Sequence, residues 1–168
     1  MIHVCPLSRI DETVTRTGAK RLVTLINAGT PVPRPASIAP EDHLFLGFND
    51  ITDCQDGMTE PCEDHVREFL DFVGSWDRAD PMVIHCWAGV SRSSAGAYVA
   101  ACALNPKRDE AIIARRLRRA SAKATPNALF VAIADQVLKR EGRMTAAIQE
   151  IGRGAMAFEN DPFELPID

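Results

Sequence analysis

The chain has 168 residues, 46% hydrophobic and 25% charged, the proportions of an ordinary globular domain. At that length folding buries about 70% of the surface an unfolded chain exposes, enough for a core without metal or disulfide staples. The net charge of -4 speaks against nonspecific nucleic-acid binding by the whole chain, and the apolar runs fall short of a membrane-spanning helix.

The opening MIHVCPLSRI lacks the basic, apolar and small-residue pattern of a secretory leader, so the expectation is one cytoplasmic domain over residues 1–168 with neither nucleic-acid nor membrane partners. Five cysteines (Cys5, Cys54, Cys62, Cys86 and Cys102) are odd in number and irregular in spacing, which argues against a disulfide framework and against a CxxC zinc site. No metal or cofactor is expected. Charge is uneven: residues 1–80 carry 7 basic against 14 acidic side chains, residues 81–157 carry 12 against 5, and residues 158–168 carry 0 against 4. The acidic tail is expected to fold back on the basic half or to stay disordered.

In chain order, residues 2–5 and 21–26 are rich in β-branched and aliphatic side chains and predict strands, with a short helix over 8–17 between them. Pro31, Pro33, Pro35 and Pro40 punctuate an extended connector. Residues 43–48 predict another strand, followed by a loop over 49–61 that bears Asp50, Asp53 and Asp56. Val66, Phe69, Leu70, Val73 and Trp76 recur at helical spacing and place an amphipathic helix over 63–76. Residues 82–85 form an uninterrupted apolar run, the pattern of a strand buried on both faces. A run of small residues over 93–104 predicts a helix able to lie close against a sheet, and further helices are expected over 109–123, 126–140 and 144–151. Strands early and helices late predict an α/β fold: a central, mostly parallel sheet flanked by helices.

The chemistry is concentrated in His85-Cys86-Trp87-Ala88-Gly89-Val90-Ser91-Arg92-Ser93, where a buried strand gives way to a helix. Such a junction turns several backbone N–H groups toward one point, and the helix dipole adds partial positive charge there. Trp87, Ala88, Gly89, Val90 and Ser91 would thus cradle a tetrahedral anion through their backbone. Gly89 supplies the backbone freedom the turn requires, and the planar fork of Arg92 can grip two anion oxygens. The same groups favour thiolate over thiol at Cys86, which lies at the base of the loop.

These residues resemble the H-C-x5-R-[S/T] signature of the cysteine-dependent protein tyrosine phosphatases, which His85, Cys86, Arg92 and Ser93 satisfy in full. The string HCWAGVSRS is most similar to the dual-specificity branch and its small bacterial relatives, convincingly over about residues 40–140 and by layout alone before that. The resemblance implies a phosphatase-type fold and hydrolysis of phosphorylated protein or small phosphomonoesters through a phosphocysteine on Cys86. Arg92 would bind the substrate and its transition state, Ser93 would donate to the departing sulfur, and His85 would hold the loop from behind. It also implies an aspartic acid from the preceding acidic loop to protonate the leaving group. Asp50, 36 residues before Cys86, fits first, then Asp53 and then Asp56. Asn127, in Ala124-Thr125-Pro126-Asn127, is similar to an asparagine that braces the phosphate loop.

Two other activities stay open at this point: a phosphoinositide or inositol-phosphate phosphatase, disfavoured by the absence of lysine from residues 87–91, and an inactive phosphate-binding relative, disfavoured by the presence of Cys86, Arg92 and candidate acids. Cys54 and Cys62 flank the acidic loop, so each reads either as an ordinary thiol or as a candidate partner of an oxidised Cys86. The cluster Lys107, Arg108, Arg115, Arg116, Arg118, Arg119 and Lys123 reads as a solvated helix face with Ile113, Leu117 and Ala120 turned inward, or as a basic rim for acidic phosphopeptides.

Overall fold

The computed structural model describes residues 1–167. Strands β1 (Ile2–Pro6), β2 (Arg21–Ile26), β3 (His43–Gly47), β4 (Met82–Cys86) and β5 (Phe163–Leu165) form one sheet in the order β3-β2-β4-β1-β5. The first four are mutually parallel, and β5 runs antiparallel along β1. Helices are α1 (Ile10–Thr17), α2 (Glu63–Gly74), α3 (Arg92–Leu104), α4 (Glu110–Ala120), α5 (Ala128–Val137) and α6 (Arg143–Ile151). The expected α/β architecture is the one found. The C-terminal tail folds back: its Asp161 meets Lys123 at 2.8 Å, and its last turn becomes β5, a strand too short to show in the sequence pattern.

Alternation along the strands divides the core between the two faces of the sheet. Val4, Val23, Leu25, Leu46, Met82 and Ile84 face the layer of α2 to α6. Cys5, Leu22 and Val83 face α1, where Ile10 and Val14 cover them together with Ile38 from the proline-punctuated connector. All five residues of β4 are buried, as an unbroken apolar strand in the middle of a parallel sheet must be.

Helix α3 is buried continuously from Arg92 to Cys102 because its side chains are small. A Cβ on Gly96 would lie 2.8 Å from Leu25 Cδ1 and 3.2 Å from Ile84 Cγ2, so a larger residue there would require these side chains to shift. Between the sheet and the helical layer, Phe130 stacks on Phe48 at 5.5 Å and meets Phe69 edge-on at 5.6 Å. Each such pair adds roughly 0.5–1.5 kcal/mol beyond area burial.

The basic cluster is largely engaged. Ile113 and Leu117 of α4 are buried and Ala120 half-buried; Arg118 reaches the carbonyls of Ala122, Ala124 and Gly152 at 2.9, 2.8 and 2.7 Å, and Arg115 pairs with Glu150 at 3.2 Å. Arg118 therefore fastens the segment after α6 to the segment before α5. Asp135, buried at the end of α5, receives the N–H groups of Gly142, Met144 and Thr145 and so caps α6.

Candidate active site

Parallel strands end at one edge, and ligands of open α/β sheets bind there. At this edge Leu7 follows β1, Asn27 follows β2, Phe48 and Asp50 follow β3, and the loop from Trp87 to Ser91 follows β4. Every carbonyl of the loop is tied outward. Trp87 O accepts from Leu7 N at 3.1 Å, Ala88 O from Asn160 N at 2.8 Å, Gly89 O from Asn160 Nδ2 at 3.0 Å, Val90 O from Thr125 N at 2.9 Å, and Ser91 O from Ala95 N at 2.9 Å and Asn127 N at 3.4 Å. Among the described residues, none of the backbone N–H groups from Trp87 to Ser91 donates to a protein acceptor. Carbonyls pulled out on all sides leave the N–H groups turned inward, beside the N-terminus of the 13-residue helix α3.

Gly89 is required twice over. Its φ is +70°, and a Cβ would meet Pro6 N at 2.9 Å and Cys5 C at 3.0 Å, because the loop lies directly on the end of β1.

Cys86 ends β4 with its Sγ 3.1 Å from Ser93 Oγ in the first turn of α3. Arg92 is 3% exposed, and its Nη1 donates to Asn27 Oδ1 at 2.7 Å and Phe48 O at 2.6 Å. Buried Nε has no protein partner, so one edge of the guanidinium is anchored and the edge containing Nε is open. Burial lowers Arg92 from its ordinary range, opposed by Cys86 and Asp50, and the side chain stays cationic.

Behind the loop, His85 Nε2 lies 2.7 Å from Thr24 Oγ1, which is itself 2.8 Å from His43 Nε2. Thr24 has one hydroxyl proton, so it donates to at most one of the two rings, and the ring tautomers set the direction of each bond. Burial pushes His85 down to about 4, so its imidazole is neutral at pH 7.

Asp50 sits on the rim, where its Oδ1 accepts from Ser91 Oγ at 2.7 Å and from Asn127 Nδ2 at 2.8 Å. Oδ2 takes neither donor. Asn127 also donates to Ile51 O at 3.2 Å and caps α5 by accepting from Phe130 N at 2.9 Å. Asp53, by contrast, accepts from its neighbour Thr52 in the exposed part of the loop, and Asp56 is likewise exposed. From Asp50, Ser91 and Asn127 a groove of about 750 Å³ opens outward past Ile148, Arg153 and Met156. Trp87 is 49% exposed on the other flank of the loop.

No family model and no curated protein matches the chain. Solved structures do. Human DUSP28 gives a TM-score of 0.64 at 17% identity over 83% of this chain and 92% of its own. The Cydia pomonella PTP-2 phosphatase gives 0.63 at 20% identity over 80% and 84%, and PTPMT1, solved in complex with PI(5)P, gives 0.61 at 11% identity over 90% and 92%. This is the dual-specificity phosphatase fold.

Within that fold the structure gathers Cys86, Arg92, Ser93, Asp50, Asn127 and the backbone of residues 87–91 at one edge, with His85 directly behind. Among the described residues no group of three or more His, Cys, Asp or Glu is assembled to hold a metal ion. Cys54 and Cys62 are exposed, and Cys62 caps α2, with its backbone N–H donating to His65 Nδ1 at 3.2 Å. The buried thiol of Cys5 is pushed up to about 12, by burial first, with the Thr13 hydroxyl opposing and Cys86 adding to the rise.

Several contributors were invisible to sequence reasoning. Asn27, Phe48 and Leu7 act through position at strand ends, and Asn160 lies 71 residues beyond its partner Gly89. Alignment of strand ends gives a signal for the first three once the sheet order is known. Nothing in the sequence around Asn160 marks it.

Proposed function

We propose that the chain is a metal-independent phosphomonoester hydrolase acting on phosphotyrosine, or on phosphotyrosine together with phosphoserine and phosphothreonine, in protein substrates. The observation that carries this reading is the loop itself: carbonyls held outward by Leu7, Asn160, Thr125 and Asn127, over a cysteine and beside an arginine with an open edge. Fixed N–H dipoles and a guanidinium supply the charge stabilisation that phosphoryl transfer demands.

Cys86 Sγ attacks phosphorus, forming the S–P bond as the P–O bond to the leaving group breaks. Arg92 holds two equatorial oxygens through its Nε edge. Asp50 gives its proton to the leaving oxygen from Oδ2, the oxygen that Ser91 and Asn127 leave unengaged. In the second step Asp50 takes a proton from water, the water oxygen bonds to phosphorus, and the sulfur departs with Ser93 Oγ donating to it.

Phosphoprotein is preferred over phosphoinositide because residues 87–91 contain no lysine and the groove adds one cation, Arg153, for a second phosphate. The groove beside Asp50 has room for the peptide flanking the phosphorylated residue.

The test is hydrolysis of p-nitrophenyl phosphate and of phosphopeptides without added metal. Wild type turns over, Cys86→Ser abolishes turnover, and Asp50→Ala lowers it by roughly 10²- to 10⁴-fold on leaving groups that need a proton. Activity that survives Cys86→Ser would overturn the proposal.

A further inference from the structure

We infer that Asn160 is a positioning residue for the phosphate loop: the C-terminal segment reaches back and holds two consecutive loop carbonyls, so that the N–H groups after them face the phosphoryl oxygens. The inference rests on the proposed phosphatase reading and names a part of that site no motif contains.

The topology makes it possible. β5 runs antiparallel along β1, pairing Phe163 with Val4 and Leu165 with Ile2, so β5 begins where β1 ends, at the catalytic edge. Asn160, three residues earlier, therefore arrives beside the loop. It is 5% exposed in a tail whose neighbours Phe158 and Glu159 are exposed. Burial of the polar side chain there is compensated by three hydrogen bonds, and the backbone N–H makes a fourth.

Its backbone N donates to Ala88 O at 2.8 Å, and Nδ2 donates to Gly89 O at 3.0 Å and to Ser121 Oγ at 2.9 Å. Oδ1 lies 3.2 Å from Ser121 Oγ, which fixes the amide from its far side. The flipped amide would set Oδ1 against the Gly89 carbonyl, two acceptors facing each other, so the contacts permit one orientation. A peptide unit is planar, so a carbonyl pulled outward turns the N–H of the next residue inward. Fixing Ala88 O and Gly89 O thus aims Gly89 N and Val90 N at the anion. Gly89, at φ +70°, is the residue of the loop with the widest backbone freedom, and it is the one Asn160 grips from both sides.

The experiment is calorimetric binding of tungstate, a tetrahedral oxyanion that needs no turnover, together with KM and kcat for p-nitrophenyl phosphate. Asn160→Ala is expected to weaken tungstate by about five- to tenfold and to raise KM by a similar factor. Asn160→Asp keeps the shape and the backbone bond but puts an acceptor against Gly89 O, so it does not rescue; a side chain that merely filled space would be rescued by this isostere. Ser121→Ala touches no loop atom, yet it frees the Asn160 amide and is expected to weaken tungstate by two- to fivefold, with the double variant no worse than Asn160→Ala. It also keeps the test alive if Asn160→Ala fails to fold. Asp161→Ala, which breaks the adjacent Lys123 pair, leaves binding unchanged.

Wild-type affinity in folded Asn160→Ala, or in Ser121→Ala where Asn160→Ala does not fold, overturns the inference while leaving phosphatase activity intact. Tungstate binding that depends on Asn160, with no hydrolysis by wild type, overturns the phosphatase reading and leaves the positioning role standing.

Discussion

Acid should destabilise this protein through His85 in a measurable and separable way. Burial lowers His85 from 6.5 to about 4, opposed by the backbone of Cys86 and aided to a lesser degree by His43 and Arg92. Between those two values the unfolded chain binds a proton that the folded chain refuses, so stability rises with pH. The contribution is fully present above about pH 6.5, is reduced by about 2 kcal/mol at pH 5 and by about 3 kcal/mol at pH 4, and falls little further below that. That is a large share of the roughly 5–15 kcal/mol typical of a folded domain.

The perturbation is His85→Gln, which keeps a polar end for Thr24 Oγ1 without a group that titrates in this range. The assay is urea unfolding of both proteins from pH 7 to pH 4. The expected result is a wild-type curve that descends more steeply than the variant's, the gap closing by about 3 kcal/mol across the window. His43, half-buried on the same Thr24 hydroxyl, is also lowered and remains in both proteins, so its own burial contributes to both curves and the difference reports His85 together with its coupling to His43. Parallel curves would refute the reasoning, because they would mean that His85 accepts its proton as readily in the fold as in the unfolded chain.

Three other substitutions test different parts of the structure. Gly89→Ala forces a Cβ to within 2.9 Å of Pro6 N at φ +70°; we expect a loss of about 1–3 kcal/mol in thermal unfolding and loss of tungstate binding, and an unchanged affinity would contradict the loop geometry. Ser91→Ala removes one of two donors to Asp50 Oδ1, so kcat should fall by roughly five- to tenfold for phenyl phosphate and much less for p-nitrophenyl phosphate, whose leaving group scarcely needs the acid; equal losses on both would separate Ser91 from proton transfer. Asp135→Ala leaves three N–H groups at the start of α6 without their acceptor and should cost about 2–4 kcal/mol by urea titration with tungstate affinity retained; a change below about 0.5 kcal/mol would show that water caps the helix equally well.

The sequence by itself determined the parts whose physics is local. An unbroken apolar run before His85-Cys86 specified a buried strand, small residues after Arg92 specified a helix able to press on a sheet, and strands early with helices late led to a mostly parallel sheet covered by helices. The loop between Cys86 and Arg92 was legible for the same reason: five consecutive backbone units and the two side chains bounding them are enough to make an anion cradle.

Only the tertiary structure decided what holds that cradle open. Sequence spacing left Asp50, Asp53 and Asp56 in competition, whereas the fold brings Asp50 to Ser91 and Asn127 and leaves Asp53 with Thr52. The anchors of Arg92 come from the ends of β2 and β3, and the outward ties of the loop come from residues as distant as Leu7 and Asn160. Hydrogen bonds of that kind depend on which strand ends share an edge and on the direction in which a three-residue strand returns. Sheet order and strand direction are set by packing summed over the whole chain, and no local pattern of side chains encodes them.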